Sequence, residues 1–294
     1  MSSMTQRSID MSHHTVAAST RHESAHLHVT GEAVYTDDIP LPRDALSAAI
    51  GYAPAAHAAL KAVDLTAVRA AKGVVAVFTA TDVPGVNNYG GIKLDDPILA
   101  TDLIEYHGQP VFVVVAETHG LARKAARLAK YELDLRTPIL SVDDALAAKS
   151  YVLNPVVTGC GDAETALARA PHRISGKAAH GGQDHFYLEG HIAFATPRED
   201  GQIDIHCSTQ HPTEVQHIVA RAMAKPDAMI RVECRRMGGG FGGKESQPAL
   251  FASLCAMAAS RLGRTVKLRL DRDDDMIITG KRHPFQFESD VGFD

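Results

Sequence analysis

The stretch Met237-Gly238-Gly239-Gly240-Phe241-Gly242-Gly243-Lys244-Glu245 sets five glycines around one aromatic side chain, with an amine and a carboxylate directly after it. Glycines let bare backbone N–H groups come close to a ligand. The lysine and the glutamate add a charged donor and a charged acceptor. A tight turn alone needs one or two glycines, so five point to a bound group. Two phosphate-binding patterns nearly fit. Gly238, Gly240 and Gly243 satisfy G-x-G-x-x-G, and Asp271 ends the next strand, although it lies further on than the usual ~20 residues. Gly238, Gly243 and Lys244 satisfy most of G-x-x-x-x-G-K-[ST]. The last position is Glu245, however, which removes the Mg²⁺-binding hydroxyl and repels a triphosphate. A dinucleotide loop stays open as an alternative; a triphosphate loop does not fit.

The loop must be held by its neighbours. Residues 228–234 alternate as a strand, and 246–262 read as a buried helix with Ser246 as N-cap, Pro248 in the first turn and Gly263 as the stop. Upstream, 192–196 and 203–207 predict a hairpin about Glu199-Asp200-Gly201. Ser208-Thr209-Gln210 follows, and a helix spans 213–224. Downstream, 266–270 reads as a strand, the acidic run 271–275 as a solvated helix start, and 285–291 as a strand. Earlier in the chain, strands are expected at 46–52, 74–79, 110–116 and 131–135. Helices are expected at 65–71 and at 121–130, the second capped by Thr118. The pattern gives an α+β domain over 28–147, a linker at 148–161 and a second unit over 162–294. The first 27 residues read as a disordered tail in which His13-His14 is solvated.

The chain has 294 residues, 45% hydrophobic, no Trp and a net charge of −5. No basic cluster suggests nucleic acid. Cys160, Cys207, Cys234 and Cys255 are far apart without a C-x-x-C, which speaks against a zinc or iron–sulfur site and suits a reducing cytoplasm. No apolar run is long enough to span a membrane, and the N-terminus has no signal-peptide apolar region.

Several segments together resemble the molybdopterin-binding large subunit of the xanthine dehydrogenase and aldehyde oxidase family of molybdenum hydroxylases. The residues from His28 to Pro40 resemble the opening of that family's α/β hammerhead domain. Gly181-Gly182-Gln183-Asp184-His185-Phe186-Tyr187-Leu188-Glu189, Ser208-Thr209-Gln210, the run from Arg236 to Glu245, Asp271-Arg272-Asp273 and Thr279-Gly280-Lys281-Arg282-His283-Pro284 follow in the family's order and intervals. The resemblance implies a hammerhead domain followed by the first part of a molybdopterin-binding domain.

It also implies roles. Gln210 matches a glutamine that hydrogen-bonds to ligands of the molybdenum, and Phe241 and Gly242 match backbone lying against the metal centre. On that reading the glycines keep Cβ atoms out of the cofactor's way. Glu245 matches a carboxylate that orients a purine; read from the residues alone, it is a helix N-terminal acid favoured by the dipole. The implied reaction is oxidative hydroxylation of hypoxanthine and xanthine to urate, with aldehydes or other N-heterocycles as the alternative. Electrons would leave through 2Fe-2S clusters and FAD to NAD on a partner subunit. The family's general-base glutamate lies beyond residue 294. The expectation is therefore an isolated chain without turnover, completed by the remainder of the large subunit or standing as a non-catalytic remnant.

Overall fold

Strands from both halves of the chain share one sheet. The computed structural model describes residues 19–294. The first part of the expected tail, residues 1–18 with His13-His14, lies outside the described residues. The remainder, 19–27, already enters helix α1 (Ala25–Thr30), which Gly31 ends in the left-handed conformation at φ 77°. There follow β1 (Leu46–Tyr52), β2 (Ala58–Asp64), α2 (Thr66–Arg69), β3 (Val74–Thr79), β4 (Leu103–Ile104), β5 (Pro110–Ala116), α3 (His119–Ala126), β6 (Lys130–Leu135) and α4 (Val142–Ala147). The second half holds α5 (Ala163–Arg169), β7 (His172–His180), β8 (Ile192–Pro197), β9 (Ile203–Cys207), α6 (Pro212–Ala222) and β10 (Ile230–Glu233). It ends with α7 (Pro248–Leu262), β11 (Val266–Arg269), α8 (Arg272–Ile278) and β12 (Phe285–Phe293).

The main sheet runs β10-β9-β8-β11-β1-β5-β3. Its joint is β1 against β11, parallel, with Leu46, Ser47 and Ala48 opposite Val266, Lys267 and Leu268. Strand β5 explains its valine run by this position. Val113 and Val115 face a core built with α6 and α7, while Phe112, Val114 and Ala116 face a second core with α3. A central strand covered on both faces has no solvent side for polar residues. Helix α7 packs on β8, β9, β11 and α6 and is buried from Pro248 to Ala259. Each large apolar side chain placed there contributes about 1.5–3 kcal/mol.

The joint is reinforced by charge. Asp37 pairs with Lys267 and Arg269 of β11, and Arg123 of α3 pairs with Asp271 and Asp274 at the cap and first turn of α8. Burial would raise the Asp37 carboxyl, but hydrogen bonds from Lys267 and Arg269 outweigh it and hold it below the usual range. The expected linker at 148–161 is exposed, irregular chain from 149 onward, yet it does not divide the sheet.

Two smaller sheets complete the fold. One runs β4-β2-β6, and the other is the ribbon β7–β12. The ribbon is exposed along its whole length. Phe287 lies opposite Ala178 and Val291 opposite Ile174, so strand alternation collects Phe285, Phe287, Val291, Phe293 and Ile174 on one face.

Two expectations change in detail. Ser246 is not the cap of α7: Gln247 holds that position, and the Ser246 carbonyl accepts from Ala249 N–H, so the turn starts one residue later around Pro248. The acidic run 271–275 does start a helix, but Asp275 is buried rather than solvated.

Because the joint is a sheet and two charge clusters, cleavage within 149–161 should not release either half. Limited proteolysis is expected to nick this segment and leave two fragments that co-elute in native gel filtration, separating only in denaturant.

Candidate functional site

Strand β9 ends at Cys207 and delivers Ser208, Thr209 and Gln210 beside the glycine loop that follows β10. The two are locked together by backbone: Gln210 N–H donates to the Lys244 carbonyl at 2.7 Å. In return the Gln210 side-chain Oε1 accepts from Gly242 N–H at 3.0 Å and Lys244 N–H at 3.2 Å. Two N–H donors fix which end of the amide is oxygen. Nε2 is therefore turned away from the loop as a donor, with no protein acceptor among the described residues.

On the other side of the loop stands Glu189. Its Oε2 accepts from Gly238 N–H at 2.9 Å, from the Lys244 ammonium at 3.1 Å and from the Ser208 hydroxyl. Lys244 Nζ also donates to Ser208 Oγ at 2.8 Å and lies 4.7 Å from the centre of the Tyr187 ring. Lys244 is 0% exposed. Burial lowers its proton affinity, and the Glu189 carboxylate opposes that shift.

Deeper in, Asp275 of α8 collects the Tyr187 hydroxyl at 2.6 Å and His191 N–H at 2.6 Å, and the Tyr187 oxygen also meets His191 Nδ1 at 2.9 Å. Burial alone would raise the Asp275 carboxyl, but hydrogen bonds from His191 and Tyr187 outweigh it and hold it well below the carboxylate range. Burial pushes the His191 imidazole down, so it is neutral. Tyr187, His191, Asp275 and Glu189 carry this network, and the sequence singled out none of them individually. The signal was hidden: Asp275 sat at the end of a run of charged residues that reads as a solvated face.

The loop's face towards solvent is formed by Phe241, Gly242 and Glu245. Phe241 is 74% exposed and holds φ at +54°, a left-handed conformation that a bulky residue rarely adopts. Gly242 has φ +88° and nothing within 4 Å of the position of a Cβ. Glu245 is exposed and makes no hydrogen bond or ion pair with the described residues; it precedes α7 by three residues, so it is not a first-turn acid of that helix. Phe186 and Leu188 are exposed on the neighbouring segment, with Arg272 above the Phe186 ring.

The expected sites Gln210, Phe241 and Gly242 are thus gathered, with Glu245 next along the chain. Three of the glycines have a reason within the protein. A Cβ on Gly238 would meet Glu189 at 2.5 Å, on Gly240 the Gln210 Oε1 at 2.5 Å, and on Gly243 the His185 ring at 2.7 Å. These three are glycine because the protein itself fills the space. Only Gly242 combines open space with a positive φ among the five. The phosphate alternatives also fail on this geometry. The N–H groups of Gly238, Gly242, Gly243 and Lys244 are already engaged within the protein, and the lysine that would reach a phosphate is buried on Glu189.

Among the described residues no cluster of three or more His, Cys, Asp or Glu side chains could hold a metal ion. The surface over Phe241 and Gly242 fits instead a bulky group that brings its own metal ligands: open space above Gly242, and an outward donor from Gln210. No helix among the described residues is long and apolar enough to cross a membrane.

Comparison with known proteins places these features. Residues 148–294 match a family model described as "Molybdopterin cofactor-binding domain", and residues 30–136 match "Aldehyde oxidase and xanthine dehydrogenase, a/b hammerhead domain". The chain is 38% identical over 275 residues to a xanthine dehydrogenase of Calliphora vicina, covering 92% of this chain and 20% of that protein. It is 41% identical over 280 residues to a probable aldehyde oxidase 1 of Oryza sativa subsp. japonica, covering 92% and 21%. The chain therefore spans about a fifth of the length of these curated relatives. Among solved structures, the aldehyde oxidoreductase of Desulfovibrio gigas superposes with a TM-score of 0.82 at 27% identity, over 92% of this chain and 32% of that one. The quinoline 2-oxidoreductase of Pseudomonas putida 86 shares the fold with a TM-score of 0.81 at 24% identity, over 92% and 36%.

The buried network sets an acid limit on stability. His191 has a folded proton affinity below that of the unfolded chain, whose histidines titrate near ~6.5. Below that pH the unfolded state binds more protons, so stability falls. Asp275 acts with the same sign further down: its contribution is present above the unfolded value of ~3.9 and is lost as pH falls through the lower folded value. The thermal midpoint should therefore drop between pH 7 and pH 5 and more steeply below pH 4. Asp275→Asn should cost about 1.5–3 kcal/mol, measured by urea unfolding at pH 7, and should flatten the acid limb.

Proposed function

The chain belongs to the aldehyde oxidase and xanthine dehydrogenase family, and from that premise we propose that it forms one wall of the active site in the molybdenum subunit of a purine hydroxylase. The reaction is the oxidative hydroxylation of hypoxanthine and xanthine to urate. The observation that carries this reading is Glu245, an exposed carboxylate without a partner among the described residues, beside the open backbone of Phe241 and Gly242. A solvated acid costs nothing to keep free, and it becomes a strong acceptor for a ring N–H once a flat ligand displaces water.

In this reading Phe241 and Gly242 bring backbone against the molybdopterin cofactor, and Gln210 Nε2 donates to a ligand of its metal. When bound, that cofactor supplies the two-electron oxidation of the ring carbon. Glu245 holds the purine in one orientation by accepting from a ring N–H. The exposed Phe241 ring excludes water from one side of the ligand. Residues 19–294 contribute contacts and orientation, while the general base comes from elsewhere in the subunit.

Partners follow from the same premise. The electrons need FAD and 2Fe-2S centres, with NAD as acceptor, on a partner subunit, and Cys160, Cys207, Cys234 and Cys255 do not form such a ligand set in this chain. The apolar face of the β7–β12 ribbon supports a polypeptide contact, supplied by the remainder of the large subunit. A two-stranded ribbon is marginal in water by itself. A cytoplasmic setting fits the free cysteines.

A second reading, hydroxylation of aldehydes, is favoured by the 41% identity to the rice protein named as a probable aldehyde oxidase. Glu245→Gln in the assembled, molybdenum-loaded enzyme separates the two. Loss of one charged hydrogen bond is worth about 1.5–3 kcal/mol, so kcat/KM on hypoxanthine should fall by about 10–150-fold with molybdenum content intact and benzaldehyde turnover within twofold. Unchanged kcat/KM on hypoxanthine would transfer the assignment to the aldehyde reading.

A further inference from the structure

The glycine loop poses a conformational problem that the proposed role does not answer. Five glycines widen the range of backbone states, and yet the loop holds Phe241 in a strained left-handed conformation beside left-handed Gly239 and Gly242. Strain of that kind persists only where surrounding contacts over-determine it.

We propose that Lys244 is the positioning residue that selects this one loop conformation, acting at the loop's entry through a buried bridge to Glu189 and Ser208 and at its exit through its own backbone. The inference rests on the reading that the face of Phe241, Gly242 and Gln210 receives the cofactor. The geometry divides the work. Through its side chain, Lys244 holds the Glu189 oxygen that also takes Gly238 N–H, which pins the loop's entry. Through its backbone, it brackets Gln210: its N–H donates to Oε1 and its carbonyl accepts from Gln210 N–H. Thr209 Oγ1 donates to the same carbonyl at 3.2 Å. The loop's exit and the direction of the Gln210 amide are therefore set by the same residue that sets its entry.

A buried ion pair is a poor way to gain stability, because an apolar side chain of equal volume avoids the desolvation of both charges. A methionine would fill the space of Lys244. What it would not do is distinguish the observed loop from its neighbours, since apolar contacts are not directional. The pair makes sense as a selector of conformation.

The test is Lys244→Met and, as a milder change, Ser208→Ala, each in the assembled enzyme. Amide hydrogen exchange is followed segment by segment, and molybdenum retained after dialysis is measured separately. Exchange across 238–244 is expected to rise about tenfold or more in Lys244→Met and less in Ser208→Ala, with α7 and β8 within twofold of the parent. Adding Glu189→Gln to Lys244→Met should slow loop exchange again relative to Lys244→Met alone, because it removes the stranded carboxylate. Equal acceleration of the loop and of α7 would mean a general structural role and would overturn the proposal, as would an unchanged loop. Faster loop exchange with full molybdenum retention would leave the selector standing and count against the cofactor reading of this face. Faster exchange with loss of molybdenum supports both.

Discussion

The parallel register of β1 with β11 is the constraint from which the architecture follows. It matches residues 46–48 with 266–268, and no short turn can connect parallel neighbours. The chain between them therefore returns through the same sheet as β5 and β3 on one side and β8, β9 and β10 on the other, with helices crossing its faces. That interval supplies both faces of cover, α3 on one side and α6 with α7 on the other. Strand β11 also carries β8 on its far edge, so removing either neighbour leaves backbone donors unpaired and opens the core around α7. Leu46 N–H to Thr265 carbonyl, at 2.8 Å, extends the same seam past the strand end.

At one end of this sheet, segments distant in sequence meet around two buried charges. Lys244 and Asp275 are each satisfied by partners from other segments: Glu189 and Ser208 for the first, Tyr187 and His191 for the second. Tyr187 touches both, its hydroxyl on Asp275 and its ring under the ammonium. Arg272 adds a further tie by donating to the Tyr187 and Leu188 carbonyls, both at 2.7 Å. Burying one ion without its partners is strongly unfavourable, so these segments must dock together or not at all. The exposed face of the loop inherits its shape from this hidden layer.

The legibility of these features tracks how local their causes are. The valine run of β5, the apolar length of α7 with Gly263 as its stop, and the hairpin of β8 and β9 were all readable, because period and turn chemistry act over a few residues. The strand β2 was not: Ala58–Asp64 is rich in alanine and carries only a partial buried pattern, and its place is decided by pairing with β6 and β4. The single sheet across the 149–161 segment was equally hidden, since parallel pairing leaves no mark in composition. Gln210, Phe241 and Gly242 were singled out through ordered motifs rather than chemistry. The glycines were visible, but the internal cause of Gly238, Gly240 and Gly243 was not, because Glu189, Gln210 and His185, which occupy their missing side chains, come from elsewhere in the chain.

Gln210 shows why an amide, and not a carboxylate or an apolar residue, suits the junction of strand end and glycine loop. Its oxygen accepts from two backbone N–H groups, Gly242 at the surface and Lys244 in a partly buried place, and without it the second donor is stranded. Glutamate would accept equally well, but would present a second acceptor outward and add a negative charge next to Glu189 and Glu245. Methionine would leave the part-buried Lys244 N–H unsatisfied. Only an amide faces the protein as an acceptor and the open side as a donor, and the loop's own backbone decides which end is which. The direction of that donor is therefore fixed by Lys244 and Gly242 before any ligand arrives, and a group carrying acceptor atoms meets a donor already aimed at it.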